Sequence, residues 1–162
     1  MKRMCAVVLC CGLMVCVAPG KTAAEVWEGV VTRVLDGDSF RIRRGQQLVT
    51  IRLYGIDSPE YGQACWREAK DGAAALLLRK QVNVEPVTTD RYGRTVALVG
   101  FRGQLINAEM VGRGLAWVYR HYCTAQPVCR RLESLEEIAR SERRGIWREQ
   151  RPVPPWVWKH RR

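Results

Sequence analysis

Hydrophobic and polar positions in the first third of the chain alternate as they do in β-strands. Val26–Leu35 and Ser39–Arg43 are β-branched or alternating runs. Asp36-Gly37 between them is typical of a hairpin turn, because both residue types tolerate a positive φ. Leu48–Gly55 alternates between apolar and polar residues. We therefore expect three strands, with Arg52 on the face of the third strand that points away from the core.

After this region the pattern changes to a helical period. Apolar residues recur three or four positions apart, and two basic residues follow where a helix C-terminus favours positive charge. The stripe consists of Ala69, Ala73, Leu76 and Leu77, and the basic pair is Arg79 and Lys80. Val82–Val87 and Thr95–Phe101 predict a fourth and a fifth strand. Three strands, a helix and two strands form the order of a five-stranded OB-like β-barrel, an α+β fold that is mainly β. An open α+β sheet fits the same order.

Two more helices are expected in the second half, about three in all. A short one carries Leu105, Ala108 and Val111 and should end near Gly112–Gly114. The last helix has an apolar stripe formed by Val128, Leu132, Leu135 and Ala139. Its other faces carry Arg130, Arg131, Glu133, Glu136, Glu137 and Arg140, and Gly145 is expected to end it. Residues 25–148 would then form the domain, and residues 149–162, basic and rich in proline and tryptophan, an extended tail.

The first 24 residues have the composition of an export signal. Lys2 and Arg3 precede the uncharged apolar run Met4–Ala18, and small residues follow up to Ala24, after which we expect cleavage. A periplasmic or secreted protein with no stable membrane insertion is the consequence. A retained anchor is the alternative, although the run is short for a membrane span. A lipoprotein modified at Cys16 is a second alternative.

The charge of the chain favours a polyanionic partner. Of its 162 residues, enough for one domain with a substantial core, the first 24 contain three basic side chains and no acidic one. The remainder has 24 basic and 16 acidic side chains, a net charge of +8. Each phosphate that such a surface neutralises releases counterions and adds affinity. Composition alone fits a charge that only keeps the protein soluble equally well.

Cysteine positions predict one disulfide. Four of the seven cysteines lie in residues 1–24 and do not bear on the fold. In an oxidising compartment Cys123 and Cys129 are close enough to bridge a short loop, which would stabilise the fold by about 2 kcal/mol. Cys65 is left over, either buried as a small apolar side chain or reactive. A zinc site is not expected, because His121 and His160 have no paired spacing with these cysteines.

Three short motifs carry side chains suited to phosphate and metal chemistry. Residues 52–60 end the third strand with one arginine and two carboxylates. Residues 36–38, Asp-Gly-Asp, lie in the first turn, and residues 90–94, Asp-Arg-Tyr-Gly-Arg, precede the fifth strand. In this order and spacing, from about Val30 to Trp147, the motifs resemble those of the thermonuclease family, the staphylococcal-nuclease-like enzymes.

The resemblance implies a calcium site. Asp38 and Asp57 would provide carboxylate oxygens, and Ser58 its backbone carbonyl. Such hard oxygen ligands suit calcium or magnesium rather than a soft metal. Two carboxylates leave most of the coordination shell to water and phosphate, so binding without substrate should be weak. The staphylococcal enzyme has threonine at the position of Ser58, a difference that a carbonyl ligand tolerates.

The resemblance also implies three catalytic residues. Arg52 and Arg94 would grip the phosphate, because a guanidinium makes two parallel hydrogen bonds to phosphate oxygens and keeps its charge. Glu60 would act on the attacking water, either as general base or as the acceptor that orients it. Pro59 restricts the residue before it to an extended conformation and so fixes how the chain leaves the strand.

Four further residues are assigned less sharply. Tyr92, and either Tyr119 or Tyr122, would stack on a base or hydrogen-bond a terminal phosphate, or else belong to a lid over the core. Asn107 matches a helix asparagine of the family and is expected to tie the barrel to the second helix by buried hydrogen bonds. The segment Tyr61–Cys65 is shorter than the mobile loop of the staphylococcal enzyme, which leaves substrate preference open.

Together these features predict an exported, monomeric, calcium-dependent endonuclease that hydrolyses DNA or RNA. By resemblance it breaks the 5′ P–O bond and leaves 3′-phosphates. A non-catalytic OB-fold module that binds nucleic acid is the main alternative. Such a module does not need Asp38, Asp57 and Glu60, since carboxylates repel phosphate unless a cation intervenes. A cell-envelope protein that interacts through its tail is a third possibility, but it explains none of the motifs.

Overall fold

The computed structural model describes residues 25–160. The predicted export signal and its cleavage site lie outside the described residues, as do the last two residues of the tail. Within residues 25–160 no helix is long and apolar enough to cross a membrane.

Five strands close into a barrel, and three short strands are added to it. The strands are β1 Trp27–Val34, β2 Ser39–Arg44, β3 Gln47–Leu53, β4 Ile56–Asp57, β5 Gln81–Thr89, β6 Thr95–Phe101, β7 Gln104–Leu105 and β8 Trp117–Val118. Antiparallel pairing runs in the order β3-β2-β1-β5-β6, and a parallel pairing of β3 with β6 closes the ring. The five-stranded OB-like barrel is therefore confirmed. The open-sheet alternative is wrong, because β3 pairs with both β2 and β6.

Helices cover one side of the barrel. They are α1 Trp66–Leu77, α2 Ile106–Gly112, α3 Val128–Ser141 and α4 Pro155–Lys159, with a 3-10 turn at Gly145–Arg148. The first three helices are those that the sequence predicts. In contrast, α4 lies in the tail, where we expected an extended segment. Like the short strands β4, β7 and β8, it is a part of the fold that the periodicity of the sequence does not indicate.

The core fills the barrel and continues under the helices. Fully buried side chains include Phe40, Ile42, Ile51, Leu77 and Leu132. Asn107 of α2 lies completely buried beside them. Its Oδ1 accepts the Val99 N–H at 3.0 Å, and its Nδ2 donates to the Tyr54 and Ala97 carbonyls at 2.9 and 3.3 Å. Its predicted role, joining the barrel to α2, is confirmed.

Two glycines have roles other than the predicted ones. Gly37 does not have a positive φ. A Cβ there would lie 2.8 Å from the Ser58 Cβ and 2.9 Å from the Ala69 Cβ, so the turn needs glycine for close packing. Gly145 lies beyond the end of α3 at Ser141. Its backbone crosses that of Gly114 so closely that a Cβ would overlap the Gly114 carbonyl.

The disulfide prediction is confirmed, and the expectation for Glu136 is wrong. Cys123 and Cys129 are bonded, and Cys65 is free and half-buried, where burial raises the pKa of its thiol. Glu136 was expected on an outward face of the last helix, but it is 1% exposed. Its carboxylate accepts the Val118 N–H at 2.8 Å and thereby ties β8 to α3.

Candidate active site

The turn between β1 and β2 aims one carboxylate into the molecule. Asp36 Oδ1 accepts the N–H groups of Asp38 at 3.0 Å and Ser39 at 2.6 Å, an arrangement by which Asp commonly forms turns. The close contact of Gly37 with Ser58 then brings the turn against β4. As a result Asp38 is only 4% exposed, and its Oδ2 accepts the Ser58 N–H at 2.6 Å.

Arg52 joins the two aspartates. It lies on β3 directly opposite Ser39 of β2, which places its guanidinium beside the turn. Nη1 forms an ion pair with Asp38 Oδ1, and Nη2 lies 2.5 Å from Asp57 Oδ1. Asp57 reaches this position from β4, where it pairs with Trp117 of β8. Residues from the β1–β2 turn, from β3 and from β4 therefore meet at one guanidinium.

Asp57 has an oxygen that no neighbour satisfies. The residue is 1% exposed, and among residues 25–160 its Oδ2 is buried without a hydrogen-bond partner. Burial raises the pKa of this carboxyl, and the charges of Arg52 and Lys159 oppose the shift only in part. A buried acceptor that lacks a partner is costly, and in a native protein it calls for an explanation such as an ion. An oxygen-preferring cation would satisfy it.

The donor set fits such a cation, although it is small. Within residues 25–160 no group of three or more His, Cys, Asp or Glu side chains is arranged to hold a metal ion. Asp38 and Asp57 instead form a pair whose oxygens converge on the charge of Arg52. Two hard carboxylates suit calcium, with the remaining positions left to water and to phosphate. The carbonyl of Ser58 as third ligand stays a prediction.

Glu60 lies at the mouth of this cluster. Its side chain is 38% exposed, and its backbone N–H donates to Gln63 Oε1 at 3.0 Å. Lys159 of α4 places its ammonium 2.7 Å from Glu60 Oε1 and 3.8 Å from Asp57 Oδ1. The exposed carboxylate is thus adjacent to the buried ones, as a residue that acts on water next to a bound phosphate requires.

Arg94 is joined to the cluster through one hydroxyl. Asp90 accepts its backbone N–H at 3.0 Å and its Nε at 2.7 Å. These hydrogen bonds lower the pKa of Asp90, although partial burial acts in the opposite direction. Nη1 of Arg94 lies 3.3 Å from Ser39 Oγ, which donates to Asp38 Oδ1 at 3.0 Å. The two arginines therefore approach the same aspartate from different sides.

The three tyrosines differ in how accessible they are. Tyr92 is 69% exposed, with the Arg94 guanidinium 5.6 Å from its ring centre. Tyr119 is stacked on Trp156, with ring centres 4.8 Å apart and planes 9° apart, and burial raises the pKa of its hydroxyl. Tyr122 meets Tyr119 edge-on at 4.8 Å. Tyr92 and Tyr122 are free to meet a substrate, whereas Tyr119 has a covered face.

The structure brings the sequence-derived residues together and adds four more. Asp38, Arg52, Asp57, Ser58, Glu60 and Arg94 form one continuous network at one edge of the barrel. Sequence reasoning missed Ser39, Gln63, Trp156 and Lys159. The pairing of Ser39 with Arg52 follows from the hairpin register and was a usable signal. No local pattern places the two tail residues there.

Chemically, this edge of the barrel can bind and polarise a phosphodiester. Arg52 and Arg94 offer planar donors for phosphate oxygens, Asp38 and Asp57 offer oxygens to a cation, and Glu60 offers an accessible acceptor for water. Phosphoryl chemistry needs positive charge on the non-bridging oxygens and a positioned nucleophile. Arg52 and Arg94 supply positive charge, and Glu60 supplies an acceptor that suits a water nucleophile.

Comparison with known proteins agrees with this geometry. The model of the staphylococcal nuclease homologue family matches residues 50–149. A protein of Escherichia coli O157:H7 named uncharacterized endonuclease is 42% identical over 135 residues, which cover 83% of this chain and 86% of that protein. A micrococcal nuclease of Shigella flexneri is 38% identical over 142 residues, covering 82% and 80% of the two chains. An uncharacterized endonuclease of Haemophilus influenzae is 33% identical, covering 80% and 71%.

Proposed function

We propose that the chain, which belongs to the family of staphylococcal nuclease homologues and is a phosphodiester-hydrolysing nuclease, acts as an exported, calcium-dependent endonuclease. One observation carries the metal part of the proposal. Asp38 and Asp57 converge on the Arg52 guanidinium, and the buried Oδ2 of Asp57 lacks a hydrogen-bond partner among the described residues. An oxygen-binding cation is the group that such a pair accommodates.

In this proposal each side chain has one task. Asp38 and Asp57, with the Ser58 carbonyl, would hold the calcium, which supplies positive charge to the phosphate oxygens when bound. Arg52 and Arg94 donate hydrogen bonds to the non-bridging oxygens, where negative charge builds up in the transition state. Glu60 accepts a hydrogen bond from the attacking water and either orients it or takes its proton. By resemblance to the family, the 5′ P–O bond breaks and a 3′-phosphate remains.

The substrate is nucleic acid, DNA or RNA, and all the assigned groups come from one chain. A monomer is therefore sufficient for the reaction. The +8 charge of the chain without its first 24 residues supports contact with many phosphates beyond the one that is cleaved. Export is supported by the leader-like composition of residues 1–24, and N-terminal sequencing of exported protein tests whether cleavage follows Ala24.

Plasmid nicking tests the calcium-dependent activity. Purified protein beginning at residue 25 should nick supercoiled DNA in calcium and stop when chelator is added. Magnesium should support binding but little turnover, because the smaller ion demands stricter geometry than two carboxylates enforce. Equal cleavage in excess chelator would overturn the calcium requirement. Asp57→Asn serves as the matched variant, since it keeps the shape of the side chain and removes the charge.

A further inference from the structure

We propose that the C-terminal segment, residues 149–159, acts as a built-in competitor that occupies the active site until metal and nucleic acid displace it. The inference rests on the proposed function, because it assigns the tail a role at that same site. All of the segment after its first residue lies beyond the family match, which ends at residue 149.

The segment is anchored to the loop that carries Glu60. Gln63 is 4% exposed and uses both ends of its amide. Its Oε1 accepts the Glu60 N–H at 3.0 Å, and its Nε2 donates to the Val153 carbonyl at 2.5 Å. The short helix α4 follows directly, with Pro155 buried at its start. One side chain thus fixes both the catalytic loop and the approach of the tail.

Lys159 places a cation on the acidic groups of the site. Its ammonium lies 2.7 Å from Glu60 Oε1 and 3.8 Å from Asp57 Oδ1. The ammonium occupies Oε1 of Glu60, an oxygen that would otherwise be available to accept a hydrogen bond from water. The same charge repels a divalent cation that approaches Asp57. In this arrangement Lys159 opposes both metal binding and the action of Glu60 on water.

Trp156 covers one face of Tyr119, a ring that is a candidate for stacking on a base. It stacks on Tyr119 with planes 9° apart, the parallel geometry that a nucleobase adopts on an aromatic side chain. Tyr122 packs against the same ring edge-on, at 4.8 Å. A base can therefore stack on that face of Tyr119 only after Trp156 has moved. The tail places an indole and an ammonium where a substrate complex would have a base and a metal ion.

The contacts of the segment are weak enough to be displaced. Lys159 is 49% exposed, and α4 has only five residues. Exposed ion pairs contribute little, and short helices do not persist without packing. The segment therefore lowers the affinity for metal and substrate but does not abolish activity. In the opposite role Trp156 and Lys159 would bind substrate directly, whereas here they contact Tyr119 and Glu60.

Binding measurements on the full chain from residue 25 test the inference. Calcium affinity is measured by calorimetry, and affinity for a single-stranded DNA oligonucleotide is measured in chelator, where no cleavage occurs. Lys159→Met should tighten calcium binding about three- to tenfold, the effect of one partly screened charge. Trp156→Ala should tighten oligonucleotide binding severalfold although it removes an aromatic ring. Arg151→Ala is the matched control, because it removes one exposed positive charge from the same segment.

The possible results of these measurements distinguish the competitor role of the segment from the proposed nuclease activity. Weaker oligonucleotide binding by Trp156→Ala would overturn the inference and make the segment part of the substrate site. Calcium affinity of Lys159→Met that equals that of Arg151→Ala would overturn it as well. If the two binding changes occur while neither the wild type nor any variant cleaves DNA, the competitor role stands and the proposed nuclease activity fails.

Discussion

Asp57 and Glu136 are both buried carboxylates paired with arginine, but their surroundings differ. Each is 1% exposed. Glu136 uses both oxygens, accepting the Val118 N–H at 2.8 Å and the guanidinium groups of Arg120 and Arg140 at 3.1 Å each. Asp57 has to share its arginine with a second aspartate, and within residues 25–160 its Oδ2 has no hydrogen-bond partner.

This difference distinguishes a structural carboxylate from a functional one. Burial and an arginine are common to both, so neither property identifies a site. A fully satisfied carboxylate such as Glu136 has nothing left to bind, and its role is to join β8 to α3. An unsatisfied carboxylate that lies beside a second acid and close to an accessible third one can take up a cation, and the cation can in turn bind phosphate. The variants below test whether changes around Asp57 affect activity and whether changes at Glu136 affect stability.

The largest expected effect is on the cleavage rate, from variants in the network that contains Asp57. Arg52→Ala, Glu60→Ala and Arg94→Ala should each slow DNA cleavage by orders of magnitude and leave the fold intact. These groups act on the one phosphate being cleaved, and loss of a preorganised donor typically costs roughly 3 to 4 kcal/mol of barrier. Arg52→Lys should stay impaired, since it keeps the charge and loses the planar fork. Initial rates of plasmid nicking measure the loss of activity, and circular dichroism shows whether each variant is folded.

The control for this series is an arginine on the same barrel outside the network. Arg43 of β2 is exposed, and Arg43→Ala removes one positive charge without touching the two aspartates. It should weaken nucleic-acid affinity slightly and leave the cleavage rate close to that of the wild type. Cleavage within a few fold of wild type by all three site variants would mean that the assigned site is wrong, and the binding-module alternative would then gain support.

The second effect is a loss of stability in a variant of Glu136. Glu136→Ala should lower the free energy of unfolding by about 2 to 3 kcal/mol, because the buried Val118 N–H and two guanidinium groups lose their acceptor. Activity below the melting transition should persist. Glu133→Ala is the matched control: Glu133 pairs with Arg120 at the surface, where a pair contributes about 0 to 1 kcal/mol. Urea denaturation followed by fluorescence measures both, and a cleavage defect in folded Glu136→Ala would contradict the separation.

Sequence patterns predict the position of Asp57 better than that of Glu136, because short segments of the sequence specify the surroundings of Asp57. Asp57, Asp38 and Arg52 lie at strand ends and in a hairpin, so a short motif and the register of two strands specify their positions. The five barrel strands and the first three helices are predicted for the same reason, since their periodicity is contained in each segment. The closure of β3 on β6 was inferred only from the order of elements.

What the sequence could not provide depends on contacts between distant segments. Glu136 has the appearance of a solvated helix residue, because two of the three groups that satisfy it come from β8 and from the loop after it, and only Arg140 comes from the same helix. The tail is basic and aperiodic, and it docks on Gln63, Tyr119 and Glu60, which are distant from it in the sequence. In both cases the information lies in which surfaces meet, which no pattern within a single segment records.

The third expected effect concerns the disulfide between Cys123 and Cys129, the second of which lies in α3, the helix of Glu136. Replacing both Cys123 and Cys129 by serine should lower the free energy of unfolding by about 2 kcal/mol, mainly because the unfolded chain loses a constraint. Tyr54 stays hydrogen-bonded to the N–H groups of Thr124 and Ala125, at 2.8 and 2.9 Å, and should hold the loop in place. Cleavage rates should change little. Thermal unfolding of the oxidised wild type, the reduced wild type and the double variant checks this, and a large loss of activity would show that the loop reaches the site.

The smallest expected effect tests how closely Arg94 is coupled to the carboxylate cluster. Ser39 Oγ bridges Arg94 and Asp38, but Arg94 is also held by two hydrogen bonds within its own motif, to Asp90. Ser39→Ala should therefore slow cleavage by about three- to tenfold, roughly 1 kcal/mol of barrier, because Arg94 keeps its main anchor. Calcium affinity measured by calorimetry should stay near that of the wild type. A rate loss as large as that of Arg94→Ala, or a marked loss of calcium binding, would mean that the hydroxyl itself belongs to the binding site, and the functional cluster would then extend one residue further into β2.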